Sequence, residues 1–159
     1  MRLTDSILLR MGFIWTQGQW EGEFNVYDEE LDGIVTKIIK VNPNDISGTT
    51  VESLEAEIGT NWRRIGFVYL IKSPYGYKIG KTIQIHDRLK LFNVKLPFKW
   101  ELVSYIICES HGEMESQFHL NWKDKNLNGE WFILTNEDIN VFNNLREHHL
   151  AKLRKHVLI

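Results

Sequence analysis

The chain has 159 residues, 43% hydrophobic and 25% charged, with one cysteine and a formal net charge of −2. That length suits one ordinary domain with an extension, folding without disulfides, and the composition excludes a disordered or fibrous chain. No run reaches the roughly 20 apolar residues of a membrane span; the start, MRLTDSILLRMGF, lacks the marks of a signal peptide; and the lone Cys108 excludes a cysteine-rich zinc site and fits a buried thiol in a reducing cytoplasm.

Thr4 or Asp5 caps a short helix with Ile7, Leu8 and Met11 on one side and Gly12 as its stop. Phe13 to Trp20 reads as a strand, a turn at Gln17-Gly18-Gln19, and a return strand through Phe24 and Val26. Gly33 to Val41 is β-branched and predicts another strand, and Asn42 to Gly48 a loop. Thr49 and Glu52 have capping-box spacing and open a helix that stops near Gly59. A soft boundary follows, giving an acidic accessory region over 1–62 and a second domain over 63–159. In that domain Phe67 to Lys72 and Tyr77 to Lys81 form a hairpin around Ser73-Pro74-Tyr75-Gly76. A helix spans about Gln84 to Asn93, and a strand Trp100 to Cys108. Ser110 and Glu113 form a second capping box for a helix to about Asp124. A loop over Asn126 to Gly129, a strand over Glu130 to Leu134, and a helix capped by Thr135 or Asn136 and running to about Val157 complete the chain. Hairpins mixed with helices, with no repeated βα unit, predict an α+β fold: a small, mainly antiparallel sheet flanked by helices, with an N-terminal helix and hairpin extension.

Charge is unevenly spread. Residues 1–60 hold 4 Lys/Arg against 11 Asp/Glu, whereas 61–159 hold 15 against 10. Between Arg63 and Lys99 lie nine basic residues and one acid, Asp87. A concentrated positive field suits a nucleic-acid backbone, with Lys81, Lys90 and Lys95 as contacts. A solvated basic face is the plainer reading of the same run.

Gly66-Phe67-Val68-Tyr69 and Lys78-Ile79-Gly80-Lys81-Thr82 resemble the two half-motifs of the GIY-YIG nuclease superfamily, on paired strands. An arginine (Arg88), a glutamate (Glu115) and an asparagine (Asn126 or Asn128) follow in that family's order. The reading KIGKT, and GEWF at Gly129 to Phe132, is most similar to the phage-associated branch. The resemblance covers about residues 65–135. One position departs from it: Lys78 stands where the family has its second tyrosine, and Tyr77, one residue earlier, points to the opposite face of a regular strand. Either Lys78 replaces that tyrosine, or a bulge lets Tyr77 serve.

The resemblance implies a metal-dependent endonuclease that hydrolyses phosphodiesters of DNA. Glu115 would hold Mg²⁺ (or Mn²⁺), leaving Glu113 to the helix cap. Arg88 would meet the phosphoryl oxygens. Tyr69 would position or deprotonate water, provided neighbouring cations such as Lys78 and Lys81 lower its pKa. Asn128, preferred over Asn126, would fix the last loop or a ligand. The same backbone contacts serve RNA as well as DNA. A homodimer is one route to cutting both strands, and the acidic region is a surface for a protein partner. The rival reading is an inactive module of the same fold that binds DNA or a host protein.

No HExxH or other metal spacing joins the histidines. His119, four after Glu115, shares its helix face and is a candidate for the metal's surroundings; His86 is near Arg88; His148, His149 and His156 read as core or surface. Trp15, Trp20 and Tyr27 form either a stacking platform for bases or, more simply, a hairpin packed on its core.

Overall fold

The computed structural model describes residues 2–156. It is α+β, with two antiparallel sheets flanked by five helices among the described residues. Ile65–Leu150 forms one compact unit, and the other described residues form another. The division thus falls after Arg64, and the described residues from Ala151 to His156 group with the N-terminal ones. No described helix is long and apolar enough to cross a membrane.

The N-terminal unit holds α1 (Asp5–Met11), β1 (Ile14–Thr16), β2 (Gln19–Asp28), β3 (Gly33–Val41) and α2 (Val51–Ile58), with the sheet ordered β1-β2-β3. Thr4 caps α1 by accepting from the Ile7 N–H at 3.2 Å. Ile7, Leu8, Met11, Phe13, Phe24 and Trp62 are buried. The predicted capping box falls one residue later than Thr49 and Glu52. The Thr49 N–H closes the preceding 3₁₀ turn (Pro43–Gly48) on the Ile46 carbonyl, so Thr50 becomes the cap and exchanges hydrogen bonds with Ser53. Trp20 is buried while Tyr27 is exposed. They lie at odd spacing on β2 and face opposite ways, so with Trp15 they form no common platform.

The second unit holds β4 (Ile65–Ser73), β5 (Gly76–Thr82), α3 (Ile85–Lys95), β6 (Glu101–Glu109), α4 (His111–Asn121), β7 (Asn126–Asn128) and β8 (Trp131–Phe132). α5 (Asn136–His156) begins in it; Val157, the predicted end of that helix, lies outside the described residues. The sheet order is β6-β4-β5-β8-β7. Alternation gives the two faces different tasks. One face carries Val68, Leu70, Ile79, Ile106 and Cys108 against Phe118 and Trp122 beside α4, with Phe132, Leu134 and Phe142. Each such buried side chain contributes about 1.5–3 kcal/mol. The other face carries Tyr69, Gly80 and Lys78 under Phe92 of α3. Thr135 caps α5 by exchanging hydrogen bonds with Asp138. Ser110 does not cap α4: it sits at φ 54° with no side-chain capping bond, because the chain turns sharply out of β6 there.

Candidate active site

The predicted hairpin is present as β4 and β5, in unbroken register from Phe67↔Thr82 to Ser73↔Gly76. Tyr69 pairs with Gly80, and its ring lies across the glycine. A Cβ on Gly80 would stand 3.0 Å from Tyr69 Cε1 and closer still to Cζ and the hydroxyl. Gly66 serves a similar end, since a Cβ there would enter the ring of His111, 2.6 Å from Cδ2. Both half-motif glycines are therefore close-approach positions, where the missing side chain makes room for a neighbouring ring.

β8 covers β5 only at Tyr77 and Lys78. Beyond that the edge of β5 finds other partners, as buried backbone must. The Ile79 N–H donates to the Glu130 carbonyl at 3.1 Å. The Ile79 carbonyl lies 3.1 Å from His119 Nε2, which makes Nε2 the protonated nitrogen. His119 also packs on Phe132 and lies 4.0 Å from Glu115 Oε1. Lys78 is ion-paired with Glu130, and its ammonium stands 6.0 Å from the Phe92 ring centre and 5.9 Å from that of Trp131. Glu115, His119, Lys78 and Glu130 therefore gather where β8 ends and β5 continues.

The charges act on one another. Burial pushes the Tyr69 hydroxyl up to about 12; the Arg88 guanidinium pulls the other way, and Glu130 and Glu115 add to the rise. The hydroxyl oxygen is buried and makes no hydrogen bond of acceptable geometry. Burial also raises Glu115, with Glu130 reinforcing the shift and His119, Lys81 and Lys78 opposing it. Tyr69 is thus within electrostatic reach of Arg88, Glu115 and Glu130, and Glu115 of Glu130. The expectation that cations depress Tyr69 is corrected, because desolvation outweighs them.

The remaining predicted residues separate. Tyr77 faces the core side, in register with Phe132 and packed against the core cluster. The regular register of β5 leaves no bulge to turn it round, so Lys78 holds the position on the site face. Asn128 is exposed on β7, opposite Trp131, which in turn pairs with Lys78. That row puts Asn128 about 10 Å from Lys78, two strand spacings away. Asn126 has a structural task, donating to the Gly129 carbonyl at 2.8 Å and the Trp131 carbonyl at 3.2 Å. Lys81 is exposed and lies over Gly112; Lys90 and Lys95 are exposed on α3. His86 is exposed. Sequence reasoning gave no role to Glu130, although it stands inside the GEWF motif, or to His111, which fills the space over Gly66.

Among the described residues no set of three His, Cys, Asp or Glu side chains is arranged as a metal cage. One carboxylate, Glu115, with its side chain 14% exposed and a second carboxylate raising its pKa, fits a hydrated Mg²⁺, which needs only one or two carboxylates. It does not fit a tetrahedral zinc site.

The Ile65–Leu150 unit is thus a small α+β domain with Lys78, Glu130, Glu115 and His119 at the β5 edge. The T5orf172 domain profile matches residues 66–145, just over half of the chain. The chain belongs to that family, a phage-associated, nuclease-related domain. No curated protein matches the chain, and no solved structure does.

Proposed function

We propose that this protein is a divalent-metal-dependent endonuclease of the GIY-YIG type, acting on DNA. The observation that carries the reading is the gathering of Lys78, Glu130, Glu115 and His119 at the β5 edge, with Arg88 close enough to the buried Tyr69 to oppose the rise of its pKa. Water attacks phosphorus and gives up its proton to bulk solvent, the bond to the leaving oxygen breaks and that oxygen takes a proton from solvent, and negative charge grows on the phosphoryl oxygens in between. Arg88 and Lys78 supply fixed positive charge to those oxygens. Glu130 holds the Lys78 ammonium in place. Tyr69 works as a protonated phenol: with its pKa near 12, about one molecule in 10⁵ is ionised at pH 7. It therefore does not remove the proton from water; buried against Gly80 and Phe92, it forms the floor of the site. His119 keeps Glu115 and the β5 edge together. Mg²⁺ (or Mn²⁺) held by Glu115 would add charge stabilisation at the phosphate. Lys81, Lys90 and Lys95 provide the sequence-independent grip on the backbone.

The test is nicking of supercoiled plasmid with Mg²⁺, Mn²⁺ or chelator, comparing the parent protein with Arg88→Ala. Metal-dependent nicking that Arg88→Ala lowers by two or more orders of magnitude supports the reading. Equal nicking by both preparations identifies a contaminant and removes the support.

A further inference from the structure

Five aromatic side chains, far apart in sequence, extend from the Lys78 site along one side of the Ile65–Leu150 unit. Tyr75 in the β4–β5 turn is edge-on to Phe98 (ring centres 5.3 Å apart), and Phe98 is edge-on to Trp131 at 5.6 Å. On the far side of the Lys78 ammonium, Phe92 meets Trp100 at 5.7 Å. Phe92 and its contact with Tyr69 belong to the core of the site. Tyr75 does not: it is 66% exposed. Phe98 and Trp100 are half-buried and line a groove of about 600 Å³ together with Asn93, Leu96, Pro97 and Lys99. A second hollow joins Trp100 to Lys72 and Lys99. Lys72 and Lys99 are exposed here, and Glu101 is the one carboxylate among the residues that line the two hollows.

Exposed and half-buried rings, interleaved with lysines, match a chain of alternating bases and phosphates. A duplex cannot use them, because its bases are stacked on each other and only its edges and phosphates are available. We infer that Tyr75, Phe98 and Trp100 form a stacking platform for unpaired nucleotides, so that the ligand is a single-stranded segment of nucleic acid beside the Lys78 site. Base–aromatic stacking is indifferent to sequence, and the lysines grip the phosphates between stacked bases. That the strand leads to a cleavage centre rests on the nuclease reading; the binding itself does not.

The test is fluorescence anisotropy with a labelled oligothymidylate and with a duplex, in chelator so that nothing is cut. The parent is compared with Tyr75→Ala, Tyr75→Phe and Trp100→Leu, each checked for its melting temperature. The parent should bind the single strand, and Tyr75→Ala should weaken that binding about fivefold or more. Tyr75→Phe, which keeps the ring, should restore it, and duplex affinity should change less than about twofold in all variants. Single-strand affinity that Tyr75→Ala and Trp100→Leu leave unchanged overturns the platform, as does an equal loss on both ligands, while duplex binding and cleavage leave the nuclease reading standing. A folded parent that binds neither oligonucleotide overturns both. Single-strand binding with no metal-dependent nicking keeps the platform and removes the nuclease reading.

Discussion

Gly80→Ala tests the packing that places the Tyr69 hydroxyl. The added methyl would lie 3.0 Å from Cε1 and closer to Cζ and the hydroxyl, while Tyr69 is fully buried and held edge-on by Phe92 at 5.6 Å. The ring cannot swing away without opening β4 or displacing α3. Overpacking of this kind costs about 1–3 kcal/mol. For a unit of this size, 2 kcal/mol lowers the melting temperature by roughly 8–16 °C. Urea unfolding should show a lower midpoint with an unchanged slope. Tyr69→Ala alone should cost about 3–5 kcal/mol through its cavity. The double variant should cost no more than Tyr69→Ala, a non-additivity of about 1–3 kcal/mol. Strictly additive losses would refute the reasoning, because the two residues would then not compete for the same space.

Three further outcomes follow from the site. Tyr77→Phe should leave plasmid nicking within about twofold of the parent, since Tyr77 faces the core, whereas Lys78→Ala should lower it at least tenfold, as expected for loss of a charge at the phosphate. Because the folded-state pKa of Tyr69 is raised, the folded protein holds that proton more tightly than the unfolded chain. Stability is therefore full below about pH 10 and lost as pH rises towards 12. The rise to about 12 corresponds to about 2–3 kcal/mol, a pH dependence that Tyr69→Phe should abolish in alkaline urea titrations. Lys90→Glu with Lys95→Glu should weaken duplex binding for every sequence and reduce the salt slope of log affinity by about two, with no change in far-ultraviolet circular dichroism.

The hairpin was legible because its information is local: a continuous apolar run from Phe67 to Ile71, a Ser-Pro-Tyr-Gly turn and two glycines sit within one short stretch. Side-chain alternation alone posed the question at Tyr77 and Lys78, and the unbroken register of β5 answers it in favour of Lys78. Glu130 was hidden because its task depends on a two-residue strand, Trp131–Phe132, pairing with β5 across a long loop of chain. The sign of the Tyr69 shift was hidden for a similar reason. Arg88 and the lysines are visible as charges, but burial under α3 exists only in the folded sheet. The cap at Thr49 fell one residue early because the preceding turn uses the Thr49 N–H, while Ser110 is the N-cap residue of α4 as predicted but makes no capping bond at its positive φ. The aromatic path through Tyr75, Phe98, Trp100 and Trp131 comes from three separate connections and has no signature along the chain.

The central claim is most directly tested at Glu115, where fold and function pull in opposite directions. Its raised pKa means that ionisation is less favourable in the folded protein than in the unfolded chain, so the charged form at pH 7 costs stability. Glu115→Gln keeps the shape and removes that cost. The account predicts a variant that melts at or above the parent's temperature and shows no metal-dependent nicking of plasmid DNA. Nicking at the parent's rate by a well-folded Glu115→Gln protein would contradict it.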